Sequence, residues 1–135
     1  METGGERHGK EGYFIQPTIF SGVSEDMKIM QEEIFGPVCS IAKFKDEADA
    51  IRLGNITTYG LAAAVHTTNL NTAIRVSNAL RAGTVWINQY NMLHHQMPFG
   101  GFKESGIGRE LGEAALANYS QTKTVSIRLG DALFG

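Results

Sequence analysis

Four places in this 135-residue sequence carry residue types able to do chemistry: Glu33 with Phe35, the single Cys39, the adjacent His94 and His95, and the glycine-rich run Gly106 to Gly112. A thiolate at Cys39 would be a nucleophile. The residue stands in a predicted strand beside Val38 and Ile41, however, and a thiol buried among apolar neighbours has a raised pKa and is inert, so we read Cys39 as a buried structural thiol. The histidine pair gives no metal reading, because adjacent side chains project differently and no carboxylate or further cysteine joins them. Gly106-Ile107-Gly108-Arg109-Glu110-Leu111-Gly112 superficially resembles a dinucleotide phosphate loop. Its last glycine follows three intervening residues and no strand leads into it, so that reading fails. Taken alone, Glu33 reads as a solvated charge at a helix end and Phe35 as a core anchor.

The elements that must position these residues follow from capping signals and hydrophobic period. Met1 to Gly12 is polar and glycine-rich and reads as a loop or frayed start. Tyr13 to Phe20 predicts an irregular edge strand interrupted by Gln16-Pro17, and Ser24 is positioned to cap a short helix with Met27 and Met30 on one face. Val38 to Phe44 predicts a strand, and Asp46 caps a helix ending at Gly54. Leu61 to Thr67 predicts a buried strand, and Asn69 caps a helix with Leu70, Ala73, Ile74, Ser77 and Leu80 at helical spacing. Thr84 to Asn88 predicts a further strand. Strand, helix, strand, helix, strand with short connections is the pattern of right-handed βαβ units around a parallel sheet, which places the chain in the α/β class. Gln89 to Gly108 is a long irregular segment of the kind that carries function. A helix is expected over Arg109 to Tyr119. Beyond it Thr124, Ser126 and Arg128 alternate with Val125, Ile127 and Leu129, the period of a half-buried strand in need of a neighbour.

Three strings occur in order: Glu32-Glu33-Ile34-Phe35-Gly36-Pro37-Val38, Ala82-Gly83-Thr84-Val85-Trp86-Ile87-Asn88, and Pro98-Phe99-Gly100-Gly101-Phe102-Lys103 continuing through Ser105-Gly106-Ile107-Gly108-Arg109-Glu110. Together, and with the linking Tyr59-Gly60-Leu61-Ala62-Ala63, they resemble the aldehyde dehydrogenase superfamily over Gly12 to Leu129. The resemblance implies the C-terminal part of a catalytic domain over residues 13–120, holding an incomplete parallel βαβ sheet, with an oligomerisation strand and tail over 121–135. It further implies that Glu33 binds the nicotinamide ribose of NAD or NADP and that Phe35 packs beside the nicotinamide. A carboxylate offers two acceptors to two vicinal hydroxyls, and hydrogen bonds to an ionised acceptor are the strong ones. Asn91, Leu93 and Phe99 are implied as contacts to the aldehyde, and Arg109 as a structural cation near subunit contacts. Family members often carry an acidic residue where Gln121 stands, so an ion pair there with Arg109 is not expected.

For a whole enzyme the resemblance implies oxidation of an aldehyde to a carboxylic acid through a cysteine thiolate, hydride transfer to nicotinamide and hydrolysis of a thioester. In the family the catalytic cysteine precedes the glutamate string by a long stretch, whereas Cys39 follows it. We therefore expect no catalytic residue among these 135, no activity from the chain alone, and the nucleophile, general base and dinucleotide-binding domain upstream. The alternative is a non-catalytic assembly module that pairs with full-length subunits.

Composition narrows the partners. A formal net charge of -2 and a hydrophobic share of 42% exclude a disordered acidic tail and disfavour nucleic acid. No run reaches the roughly 18 apolar residues needed to span a bilayer, so no membrane partner is expected. One cysteine excludes an intramolecular disulfide framework, and the expected setting is cytoplasmic. A small-molecule aldehyde and a homo-oligomer, dimer or tetramer, are the partners expected for the full-length enzyme. No metal site is expected.

Overall fold

The computed structural model describes residues 1–130. In chain order the elements are strand β1 (Thr18–Ser21), helix α1 (Lys28–Gln31), strand β2 (Val38–Ile41), helix α2 (Glu47–Gly54), strands β3 (Tyr59–Gly60) and β4 (Ala62–Val65), helix α3 (Leu70–Ala79), strands β5 (Thr84–Ile87) and β6 (Phe102–Lys103), and a 3₁₀ helix over Glu113–Tyr119. This is a mixed α/β architecture. β1 pairs with β2 and β4 with β5, both in parallel, while β3 and β6 form a short antiparallel pair.

Both principal helices start where their caps direct. The Asp46 carboxylate accepts from the Asp49 amide at 2.9 Å, and the Asn69 side chain accepts from the Thr72 amide at 3.0 Å, each satisfying a donor that the helix itself leaves orphaned. At their far ends Asn55 joins the two helices: its amide donates to the Ala79 carbonyl at 2.9 Å and its oxygen accepts from the Arg81 amide at 2.7 Å. On the outer face Arg75 grips Glu47 through two parallel hydrogen bonds of 2.8 Å. Ala73 and Val76 of α3 and Trp86 of β5 are the buried apolar residues, so the core lies where α3 crosses the β4–β5 pair.

Several expectations are corrected. Ser24 does not cap α1: its hydroxyl bonds the Asp26 carboxylate, and Met27, whose side chain makes no capping bond, occupies the cap position. The expected helix over Arg109 to Tyr119 is reduced to the 3₁₀ turn, because Leu111 and Gly112 take φ of 60° and 58° and left-handed residues cannot propagate a right-handed helix. Cys39 is exposed rather than buried, since the two-residue period of β2 turns Val38 and Ser40 inward and Cys39 and Ile41 outward. The expected run of adjoining parallel strands is also divided, for β2 bonds to β1 and makes no ladder with β4 among the described residues. Residues 124–129 are in no ladder either. Val125, Ile127 and Leu129 are all exposed there.

Candidate functional site

Glu33 lies just beyond α1, where the backbone has turned from helix to extended at Glu32, with φ of -106° and ψ of 147°. Its side chain lines a cavity of about 540 Å³ between α1, the β3–β4 segment and the end of α3, with Tyr59, Leu61, Arg81 and Ser105 among its walls. Among the described residues the Glu33 carboxylate has no hydrogen-bond or ion-pair partner, which leaves both oxygens free to accept. Two residues on, Phe35 takes φ of 53° and stands 90% exposed. A left-handed phenylalanine is a strained conformation, and here its ring has almost no cover within the chain.

A second cavity, of about 370 Å³, is lined by Phe99, Gly100, Arg109 and Asn118 and shares Leu61 and Ser105 with the first. The fold thus brings Glu33 and Phe99 to adjoining hollows although 66 positions separate them, 99 less 33. Asn91 and Leu93 are exposed and line neither cavity, and Phe35 is outside both. Their loop is nevertheless anchored: the indole nitrogen of buried Trp86 donates to the Met92 carbonyl at 2.9 Å, and its ring meets Tyr90 edge-on at 5.5 Å. His94 and His95 stack with ring centroids 4.1 Å apart in the same exposed loop.

Glycine strings hold the walls together by close backbone approach. A Cβ at Gly83 would collide with the carbonyl oxygen of Gly100, so the third sequence string can cross the second only because position 83 lacks a side chain, while a Cβ at Gly100 would instead meet the Gly108 carbonyl and the Arg109 side chain. Arg109 secures the crossing by donating to the Gly101 carbonyl at 3.0 Å and the Gly108 carbonyl at 2.6 Å, with its guanidinium 5.5 Å from the Phe102 ring centre.

Two supporting residues were not singled out from sequence. Lys103, at φ of 53°, donates its ammonium to the carbonyls of Asn55 at 3.1 Å and Thr57 at 2.9 Å. The Ser105 hydroxyl accepts the Gly60 amide at 2.9 Å, which fixes β3 against the loop after β6. Neither contact has a local signature, since its partners are more than 40 residues apart. Their inclusion in the third string was the one available sign.

The sequence matches the aldehyde dehydrogenase family over residues 1–125. Among curated relatives, an aldehyde dehydrogenase of Davidiella tassiana is 82% identical over 100% of this chain and 27% of its own length. Retinaldehyde dehydrogenase 3 of Homo sapiens is 56% identical over 97% of this chain and 26% of its own length. Among solved structures, an NAD-dependent aldehyde dehydrogenase from Sinorhizobium meliloti superposes with a TM-score of 0.93 at 46% identity, covering 97% of this chain and 26% of that one. The NAD+ complex of an aldehyde dehydrogenase from Bacillus cereus gives 0.88 at 52% identity, covering 91% of this chain and 25% of that one. The chain therefore spans about a quarter of the proteins it matches.

Proposed function

This chain belongs to the aldehyde dehydrogenase family, and from that premise we propose that it serves as the nicotinamide-ribose and substrate-facing quarter of an enzyme that oxidises an aldehyde to a carboxylic acid with NAD or NADP. The observation that carries this reading is the free carboxylate of Glu33 at the wall of a cavity adjoining that of Phe99. Two unpartnered oxygens suit the two vicinal hydroxyls of a ribose, and an exposed aromatic at Phe35 offers a flat apolar face beside them. The residues present fit the group: the two carboxylate oxygens can each accept a hydrogen bond from a ribose hydroxyl. When bound, the nicotinamide group would take up the hydride.

Within this scheme Glu33 orients the ribose, and Phe35 limits how far the ring can swing. Phe99, Asn91 and Leu93 shape the approach of the aldehyde. The thiol nucleophile and the water-activating base belong to the remaining length that the relatives carry, and the chain by itself is inactive. Residues 124–129 act in assembly as an intersubunit strand, which agrees with an alternating segment that is exposed and in no ladder here. The soluble setting expected is the cytoplasm.

Glu33→Gln in a full-length enzyme carrying these residues tests the reading. It removes the charge and one acceptor, with a loss of about 1.5–3 kcal/mol for a hydrogen bond to a charged group, or roughly tenfold to 150-fold in cofactor affinity or turnover. Unchanged cofactor titration and single-turnover hydride transfer would show the carboxylate to be merely solvated.

A further inference from the structure

We propose that Arg52 is a positioning residue for the cofactor site: through Glu25 it fixes the direction in which the α1 segment presents Glu33. The inference rests on the ribose reading of Glu33 given above and assigns to that site a residue that does not touch it.

Glu33 lies on an excursion of the chain between β1 and β2. Its two feet are secured by backbone bonds, from the Thr18 amide to the Pro37 carbonyl at 2.9 Å and from the Val23 amide to the Ile41 carbonyl at 3.4 Å. Between them there is little to fix the backbone. α1 is four residues long, starts without a side-chain cap and has no buried residue. A single turn of this kind is marginal by itself, because nucleating a helix fixes more dihedrals than the first bonds repay. Ile29 and Met30 are half-buried, and Met30 lines the Glu33 cavity together with Leu80. Apolar contact is non-directional, so it limits how far the segment can stray and not which way Glu33 points.

Direction comes from one bond. Among the described residues, the only hydrogen bond joining residues 24–35 to the rest of the chain is donated by Arg52 Nη1 to Glu25 Oε2, at 2.5 Å. The guanidinium is held from its other side by its own helix, since Asp49 accepts from Nε at 3.2 Å and from Nη2 at 2.9 Å. A planar fork fixed on one carboxylate presents its remaining donor in a set direction. α2 is in turn capped by Asp46, and Asn55 bonds its far end to the Ala79 carbonyl of α3. On the side toward the cavity, the Gln31 side-chain amide donates to the Glu25 carbonyl at 3.0 Å and Lys28 pairs with Glu32 at 3.5 Å. Glu25 therefore moves with the residues that lead directly into Glu33. A path of directional contacts runs from α2 through Arg52 and Glu25 to the neighbour of Glu33, whose own carboxylate adds no bond.

The pair is half-exposed, with side chains 53% and 44% accessible, so its effect is modest. Losing it leaves Glu33 present but lowers the fraction of molecules in which the carboxylate is correctly aimed. The apparent dissociation constant of the cofactor rises by the inverse of that fraction, while the chemistry after binding is unchanged. For an exposed ion pair this corresponds to roughly two- to fivefold.

The test uses a full-length enzyme carrying these residues. Arg52→Gln and Glu25→Ala should each raise the cofactor KM roughly two- to fivefold with kcat and the aldehyde KM unchanged, and the double variant should do no more than either alone. Glu25→Ala leaves the Asp49 contacts within α2 intact, so a shared effect does not come from a weakened helix. In a Glu33→Ala background there is no carboxylate to aim, and Arg52→Gln should leave the cofactor KM where it was; a merely structural role would persist there. Hydrogen exchange on the cofactor-free enzyme gives a reading independent of activity: amides of residues 28–35 should exchange about threefold faster in Arg52→Gln than in the parent. Additive effects of the two variants, an effect that survives in Glu33→Ala, or unchanged exchange over 28–35 would each overturn the proposal. Silence of Arg52→Gln where Glu33→Ala weakens the cofactor overturns this inference alone. An unaltered cofactor KM in Glu33→Ala sinks the ribose reading instead, and exchange over 28–35 then decides by itself whether Arg52 holds the segment.

Discussion

Between Val38 and Ile87 no residue has positive φ, whereas Phe35 on one side and Asn88, Asn91, Lys103 and Leu111 on the other all do, at 53–60°. The first region is the α2–β4–α3–β5 body, with two side-chain helix caps, a helix-joining asparagine and a bidentate Arg75–Glu47 pair. The second carries every candidate contact to cofactor and substrate. Non-glycine residues in the left-handed region cost roughly 1–3 kcal/mol each and persist only where surroundings impose them. One region is held by its own local contacts, and the other holds the left-handed residues and the proposed contacts.

The largest test of this contrast lies where the two regions touch. Gly83→Ala in a full-length enzyme carrying these residues should destabilise it by about 3 kcal/mol or more, because the new methyl meets a backbone carbonyl that cannot rotate away. Urea unfolding measures this, and a loss below about 1 kcal/mol would mean that the crossing at Gly100 is loose. A division of effects is expected at Phe35. Phe35→Gly relieves the left-handed strain, so thermal stability should hold or rise, while turnover falls about fivefold through loss of roughly 1 kcal/mol of aromatic packing. If stability instead drops with activity unchanged, Phe35 is a structural anchor and the contrast fails there.

Within the body, Asn69→Ala should cost about 1 kcal/mol, the value of one cap, with no change in cofactor affinity. A shift in cofactor binding would show that the two regions are coupled. The smallest effect is pH-dependent. The Arg75 hydrogen bonds hold the Glu47 carboxyl below its usual value. A carboxylate with a depressed folded pKa stabilises fully above its unfolded value of about 4.3 and loses that contribution as pH falls through the folded value. Stability of Glu47→Gln should therefore fall less steeply than that of the parent on acidification below about pH 5, and parallel curves would show the pair to be without net effect.

The sequence by itself determined the body and the family: Asp46 and Asn69 cap α2 and α3 as expected, and the strands β2, β4 and β5 fall within the spans their residues predict. A cap reaches three residues and a helical face repeats every 3.6, so both are written locally. The identity of Glu33 and Phe99 as candidates was also legible, through strings rather than geometry. Only the tertiary structure decided that their cavities adjoin, that Ser105 holds Gly60, and that Lys103 bonds carbonyls at the end of α2. It also decided that Cys39 faces outward and that the helix expected from Arg109 fails at Leu111. Burial of one strand face over the other depends on which neighbours arrive, and a backbone crossing depends on segments far apart in the chain. Neither leaves a periodic trace in the residues themselves.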